Sequence, residues 1–163
     1  MTKTRTFIAA ICGIAIAGPA LADGCLRPEE RSALDVRALQ SYLMVSALQC
    51  RQAEPYNQFM RRFGGDLANA NRTAAVHFTR TYGGQGRTRQ DSFNTTLANE
   101  HSEDAIRSGS FFCTDATALF AQALATPSSD LAKFAAERNI PQSYTPGECG
   151  ATPARPAARA SRR

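Results

Sequence analysis

Apolar β-branched residues are scarce in this chain, and this scarcity limits its fold more than any other feature. After residue 22 the valines and isoleucines are only Val36, Val45, Val76, Ile106 and Ile140. Alanine, in contrast, occurs 29 times in the chain. Because the pleated faces of a sheet core are built from β-branched and aromatic side chains, a mainly β or α/β fold is nearly excluded. We therefore expect an all-α protein.

The first 22 residues have the pattern of an export signal. Lys3 and Arg5 form a positive start, an apolar run follows over residues 7–17, and residues 20–22 supply the small side chains that cleavage requires. We therefore expect residues 1–22 to be a signal peptide that is cleaved after Ala22, and a periplasmic or secreted location. No apolar run beyond it reaches the roughly 20 residues of a membrane span, so we expect no transmembrane segment.

Four cysteines follow the signal, and four is an even number. In an oxidising compartment this predicts two disulfides, with three possible pairings. Cys50 and Cys113 fall on apolar helix stripes, whereas Cys25 and Cys149 flank the helical region, so we favour the pairs Cys50–Cys113 and Cys25–Cys149. A structural zinc site is not expected, because the chain has no Cys-x-x-Cys pair and no His close to a Cys.

Hydrophobic periodicity predicts five helices, over residues 28–52, 54–82, 88–107, 110–125 and 128–139. The second contains Gly64-Gly65, but its apolar stripe stays in phase across the pair. This favours one kinked or closely packed helix over two. Because short connections favour antiparallel neighbours, we expect residues 23–150 to form a four- to five-helix antiparallel bundle stapled by two disulfides.

The excess of basic residues lies outside the predicted helical domain. Residues 23–150 carry 13 Lys or Arg and 14 Asp or Glu, so the domain is near neutral. Residues 151–163 have no apolar period and are expected to be a disordered basic tail, with Arg155, Arg159, Arg162 and Arg163. We expect no nucleic-acid binding, since that needs a basic patch on the fold itself. The tail makes an envelope protein or an anionic surface the expected partner.

The sharpest polar cluster lies at residues 99–104 of the third predicted helix. Glu100, His101 and Asp104 are candidate binding residues, since a His among carboxylates binds a metal or moves protons. The Glu-x-x-His repeat of helical di-metal sites is absent, so a solvated face with a packed His101 is the favoured interpretation. We predict no catalytic residue, metal or cofactor. His77 has no evident partner and is expected to be an ordinary boundary residue.

The sequence from Tyr56 to Phe59 shortly after Cys50, and Phe112-Cys113 at the start of a late helix, carry a resemblance. Residues 34–125 resemble small exported all-helical proteins of Gram-negative bacteria that have no assigned activity. The resemblance implies a helical fold and an exported location, and it implies no catalytic residue. The two-disulfide helical format is also similar in style to periplasmic acid-stress chaperones.

Three functions stay open at this point. The first is a non-enzymatic structural or interaction protein of the cell envelope. The second is a small-ligand or client-binding bundle with a chaperone-like role, using Phe59, Phe63, Phe78, Phe112 and Phe120. The third is a metal-dependent or acid–base enzyme that uses the cluster at residues 100–104.

Overall fold

The protein is an all-α bundle in the computed structural model, which describes residues 24–150. The expected signal peptide and basic tail lie outside the described residues. Five α-helices are present: α1 (Pro28–Gln49), α2 (Ala53–Tyr82), α3 (Gly86–Ser108), α4 (Ser110–Ala125) and α5 (Leu131–Arg138). Short 3₁₀ turns precede α3 at Gly83–Gln85 and α5 at Ser128–Asp130. The predicted helical fold and both predicted disulfides are confirmed.

Helix α1 lies at the centre of the bundle and packs against all four other helices. Val36 and Leu39 belong to the largest apolar cluster, which α2, α4 and α5 complete. Leu34 and Ala38 belong to a second apolar cluster, which α2 and α3 complete. Val45 belongs to a third cluster, with residues of α3 and α4. The sequence predicts one apolar stripe on this helix, formed by Val36, Leu39, Leu43, Ala47 and Cys50, and most of it lies in the largest cluster. The stripe therefore accounts for only one of the buried faces of α1.

Helix α2 runs without interruption through Gly64-Gly65. The prediction of a single helix is confirmed. The packing explanation for the glycine pair is wrong, because both glycines are exposed and a Cβ at either position would meet nothing within 4 Å. The buried stripe of α2 holds the helix instead, through Phe59, Phe63, Leu67, Ala70, Ala74 and Phe78.

The corner between α2 and α3 is tight because Gly86 lies directly on the α2 backbone. A Cβ at Gly86 would stand 2.7 Å from the Cα of Thr79, closer than real contacts allow. Only glycine permits this approach. The corner sets the start of α3 against the end of α2, where the aromatic side chains of both helices meet.

The residues after α5 return to the start of α1. We call residues 140–149 the C-terminal strap. The Leu26 amide donates to the Gly147 carbonyl at 2.8 Å, and the Cys149 amide donates to the Leu26 carbonyl at 2.8 Å. The Cys25–Cys149 disulfide lies beside this bridge. We call this region, with the end of α2, the Cys25 end.

The other disulfide joins the end of α1 to the first turn of α4. It covers a small apolar cluster of Val45, Ala105 and Phe112, with Tyr42 packed against it. We call this region the Cys50 end. Leu48 and Phe111, which lie within two residues of the bridged cysteines, are each 76% exposed.

Candidate functional site

His101, the central member of the predicted cluster, is fully buried. Its Nε2–H donates to the Pro141 carbonyl at 2.9 Å, so its Nδ1 accepts from the Ser41 hydroxyl at 3.1 Å. Burial lowers the pKa of His101, although the bond to Pro141 and the charges of Glu100 and Asp104 raise it in part. The neutral ring therefore links α3 to α1 and to the strap, and it does not face solvent.

The two carboxylates of the predicted cluster lie apart from the His101 ring. Glu100 accepts a hydrogen bond from the Ser143 amide at 3.2 Å, and Asp104 pairs with Arg107 at 3.2 Å. No group of three or more His, Cys, Asp or Glu within residues 24–150 is placed to hold a metal. The structure thus places Glu100 and Asp104 along one open surface pocket and keeps His101 out of it.

His77 is the titratable residue that the sequence interpretation placed wrongly. Its ring is fully buried and bonded on both sides. Nδ1 stands 3.2 Å from Glu30 Oε2, and Nε2 stands 2.7 Å from the Tyr144 hydroxyl. Glu30 precedes His77 by 47 residues and Tyr144 follows it by 67, so no local motif announced either partner.

Glu30 occupies the first turn of α1, where its carboxylate receives several donors. It is 2% exposed and accepts the Arg27 amide at 2.9 Å and the Arg80 guanidinium at 2.6 Å. Burial raises the pKa of Glu30, but the hydrogen bonds from Arg80 and Arg27 and the charge of Arg80 outweigh it. The net pKa is lowered, and Glu30 is ionised in the fold.

The hydrogen bonds assign the protons of this network. The two shortest contacts of Arg80 Nη2 go to the Cys25 carbonyl at 2.8 Å and to Glu30, and they use both of its hydrogens. His77 Nδ1–H therefore donates to Glu30, and His77 Nε2 accepts from the Tyr144 hydroxyl. Burial lowers the pKa of His77 more than Glu30 raises it, so the ring is neutral. Burial also raises the pKa of Tyr144.

Tyr144 connects this buried network to a cleft at the protein surface. Its ring centroid lies 5.2 Å from that of Phe78 and 5.7 Å from that of Phe93. Beside it a cleft of about 220 Å³ opens between the end of α2, one face of α3 and the strap. We call it the aromatic cleft, and its lining residues are Phe78, Tyr82, Arg89, Ser92, Phe93, Thr96, Leu97, Glu100, Ser143 and Tyr144.

Helix α3 supplies the polar groups of the aromatic cleft. Arg89, Ser92, Thr96 and Glu100 recur at steps of three and four residues, which places them on one helix face. The Arg89 guanidinium lies 5.4 Å from the centroid of the Tyr82 ring, a cation–π distance. Among the described residues no carboxylate pairs with Arg89. The helical spacing of these residues is visible in the sequence, but nothing local shows that they face aromatic rings.

Comparison with known protein families, with characterised proteins and with solved structures found no match for this chain. Within residues 24–150 no helix combines the length and the apolar character needed to cross a membrane.

Proposed function

We propose that this chain is an exported, non-enzymatic interaction protein of the cell envelope, and that the aromatic cleft is its binding site. The observation that carries the proposal is a cleft lined by aromatic rings and a few polar groups, with walls fixed from three directions. Concave sites with this lining are the usual places where small molecules bind.

The walls of the cleft are held before any ligand arrives. His77 accepts the hydroxyl proton of Tyr144, and Glu100 accepts the Ser143 amide. The Cys25–Cys149 disulfide and the Leu26 bridge hold the end of the same strap. A site that is already ordered loses little conformational entropy on binding, which favours affinity.

The same geometry gives little support to an enzyme. Tyr144 directs its hydroxyl proton into the protein, and burial raises its pKa, so it offers the cleft no phenolate. Glu100 and Asp104 line one open surface pocket, but the His101 ring is buried behind it and bonded to Ser41 and Pro141. Neither group has the nucleophile–base geometry that catalysis needs.

A client-binding cavity inside the bundle has less support than the surface cleft. Phe59, Phe63 and Phe120 are packed in the largest cluster, and Phe112 is packed at the Cys50 end. Of the five phenylalanines considered from the sequence, Phe78 borders the aromatic cleft, but it is only 1% exposed and packs in the second apolar cluster. The proposal therefore leaves all five to the core, and the accessible rings of the cleft are those of Tyr82 and Tyr144.

A cleft-filling variant tests the binding site. We expect Thr96→Trp to occupy the cleft and to abolish the amide shifts that a library of small aromatic and polar compounds causes in an NMR titration. The matched control is Thr95→Trp, because Thr95 is also exposed on α3 but does not line the cleft. If no compound shifts the cleft residues, or if both variants lose binding equally, the proposal fails.

Export is tested separately. Fractionation of the producing cells, with mass spectrometry of the product, is expected to give a periplasmic or secreted chain that begins after Ala22 and has no free thiol. A cytosolic chain that retains residues 1–22 would contradict the proposal.

The basic tail is proposed to bring the protein to an anionic surface. Removal of residues 151–163 is expected to weaken binding to anionic lipid vesicles or cell-wall polymer and to leave the cleft unchanged. Unchanged binding to both surfaces after removal of the tail would refute this role.

A further inference from the structure

The aromatic cleft has an uneven charge distribution along its length. Arg89 lies in the first turns of α3, and Glu100 lies 11 residues later on the same face. At 1.5 Å of rise per residue, this separation is about 16 Å along the helix axis. The positive partial charge of the α3 N-terminus adds to the Arg89 end. One end of the cleft therefore attracts an anion and the other end repels it.

The Arg89 guanidinium is not neutralised by a carboxylate. It is exposed and lies 5.4 Å from the centroid of the Tyr82 ring, and no carboxylate within residues 24–150 pairs with it. Its planar fork of N–H donors is suited to the two oxygens of a carboxylate. Glu100, in contrast, already accepts the Ser143 amide.

The middle of the cleft is suited to a ring. Phe78, Phe93 and Tyr144 line it and contact one another at centroid distances of 5.2 to 5.7 Å. Phe78 is 1% and Phe93 is 5% exposed, so the half-buried Tyr144 ring presents most of the aromatic surface there, while its hydroxyl is occupied by His77 and lies 3.5 Å from that of Tyr82. Aromatic rings prefer offset or edge-on contact with other rings, so a flat unsaturated ligand gains more here than an alkyl chain.

The size of the cleft limits the ligand. At about 220 Å³ the cleft is smaller than the roughly 300 to 1,000 Å³ of sites that bind drug-sized molecules. That space accommodates one aromatic ring with a short acidic arm, and it is too small for a drug-sized molecule.

Resting on the function proposed above, we infer that the aromatic cleft binds an aromatic carboxylate, with its ring against Phe93 and Tyr144 and its anionic group at Arg89. This chemistry is shared by free aromatic acids and by a peptide that ends in an aromatic residue with a free C-terminal carboxylate. Glu100 sets the orientation, because it excludes the carboxylate from the opposite end.

The test is an NMR titration of the oxidised protein with three matched probes: 3-phenylpropionate, its uncharged amide, and hexanoate, which has no ring. We expect 3-phenylpropionate to shift the amides of residues 89–100 and 143–144. We expect the amide to bind about fivefold more weakly, the upper scale of a single solvent-exposed charge contact. We expect hexanoate, which keeps the charge, to bind more weakly because it lacks the ring. A comparison of 3-phenylpropionate with an alanyl-phenylalanine dipeptide then separates free aromatic acids from peptide C-termini.

Two arginine variants locate the anion contact. Arg89→Gln is expected to reduce the affinity for 3-phenylpropionate to that of the amide. The control is Arg87→Gln, which removes the same charge from an exposed residue that does not line the cleft. We expect it to leave the preference unchanged.

The outcomes separate this inference from the function on which it depends. If the acid and the amide bind the cleft equally, or if Arg87→Gln and Arg89→Gln have equal effects, the inference is overturned while the cleft stays a binding site. If neither these probes nor the wider compound library shifts the cleft residues, both the inference and the proposed function fail.

Discussion

The two disulfide-bonded ends of the bundle are stabilised in different ways. At the Cys25 end the bridge is accompanied by a buried ionic network, two backbone hydrogen bonds to Leu26 and a strap that packs on aromatic rings. At the Cys50 end the bridge covers a cluster of three buried residues beside exposed apolar side chains. The difference indicates that the first end is ordered by many specific contacts, whereas the second depends mainly on its covalent link.

Removal of the disulfides is the strongest way to test this comparison. The two bonded cysteines are 124 residues apart in sequence in the Cys25–Cys149 disulfide and 63 residues apart in the Cys50–Cys113 disulfide. The chain-entropy treatment gives losses of about 5 and about 4 kcal/mol for the paired Cys→Ala variants. Urea unfolding measures both values, with the oxidised wild-type protein as the control.

The loss of local protection is expected to follow the opposite order to the loss in the free energy of unfolding. In hydrogen exchange, the amides of the Cys50 end are expected to lose protection when Cys50 and Cys113 are replaced. The Leu26 and Cys149 amides are expected to stay protected when the other pair is replaced, because their hydrogen bonds and the strap contacts are still present. Equal opening at both ends would show that the polar network adds no order.

The charge of Glu30 is the next largest contribution. Glu30→Gln is expected to reduce the free energy of unfolding by about 2 to 4 kcal/mol, since Arg80 loses its partner in a largely buried site. Chemical denaturation measures the loss. Glu29→Gln is the matched control, because Glu29 is exposed and its replacement is expected to change stability by less than about 0.5 kcal/mol. Similar losses for both variants would contradict a specific role for Glu30.

Two glycines, one near each end, test the comparison through smaller changes in stability. Gly86→Ala, near the Cys25 end, is expected to cost about 1 to 3 kcal/mol, because the new Cβ strikes the Thr79 backbone. Gly109→Ala, near the Cys50 end, is expected to cost about 1 kcal/mol, because only its φ of +55° is strained. Thermal unfolding measures both, and Gly84→Ala, with open space and no positive φ, is the control. A stabilised Gly86→Ala protein would refute the close approach.

Acidification is expected to have the smallest effect and to act first on the Cys25 end. Burial lowers the pKa of His77 and His101 below 6.5, so their contribution to stability is complete above about pH 6.5 and declines as the pH falls. The net pKa of Glu30 is also lowered, so its contribution is lost at still lower pH. The lowered pKa values of the two histidines and of Glu30 therefore both make the protein less stable in acid.

Denaturation at about pH 7.5 and about pH 5, with hydrogen exchange, measures this dependence. The double variant His77→Gln and His101→Gln is expected to be nearly independent of pH over the same range. A wild-type protein that gains stability in acid would contradict the assignment of neutral buried histidines.

The helices that carry one apolar stripe were predictable from the sequence, whereas for the central helix α1 the sequence predicted its existence and its start but not its end or its additional buried faces. Helix α4 spans Ser110–Ala125, as predicted. Helix α1 ends at Gln49 and not at residue 52, because Arg51 takes a φ of +54° that starts the turn into α2. Arginine carries no local signal for that conformation.

The site was predictable only in part, because its contacts join residues that are distant in the chain. Glu100 was a candidate, and it does line the cleft. Glu30 was indistinguishable from an acidic residue that favours a helix start, and its pairing with Arg80 and His77 arises only when α1 and α2 pack. Tyr144 lies beyond the last predicted helix, where periodicity gives no information about burial.

The backbone bridge between Leu26 and Glu148 bears on where the termini of the chain can be placed. The Cα atoms of Cys25 and Cys149 are 4.9 Å apart, so the first and last described residues leave the bundle from the same point. A circular permutant that joins residue 150 to residue 24 through a short linker, and opens between Thr126 and Pro127, keeps every helix intact. Chains with adjacent ends tolerate such relocation of their termini, so we expect the permutant to fold and residues 24–150 to fold as a unit when inserted into a loop of another protein.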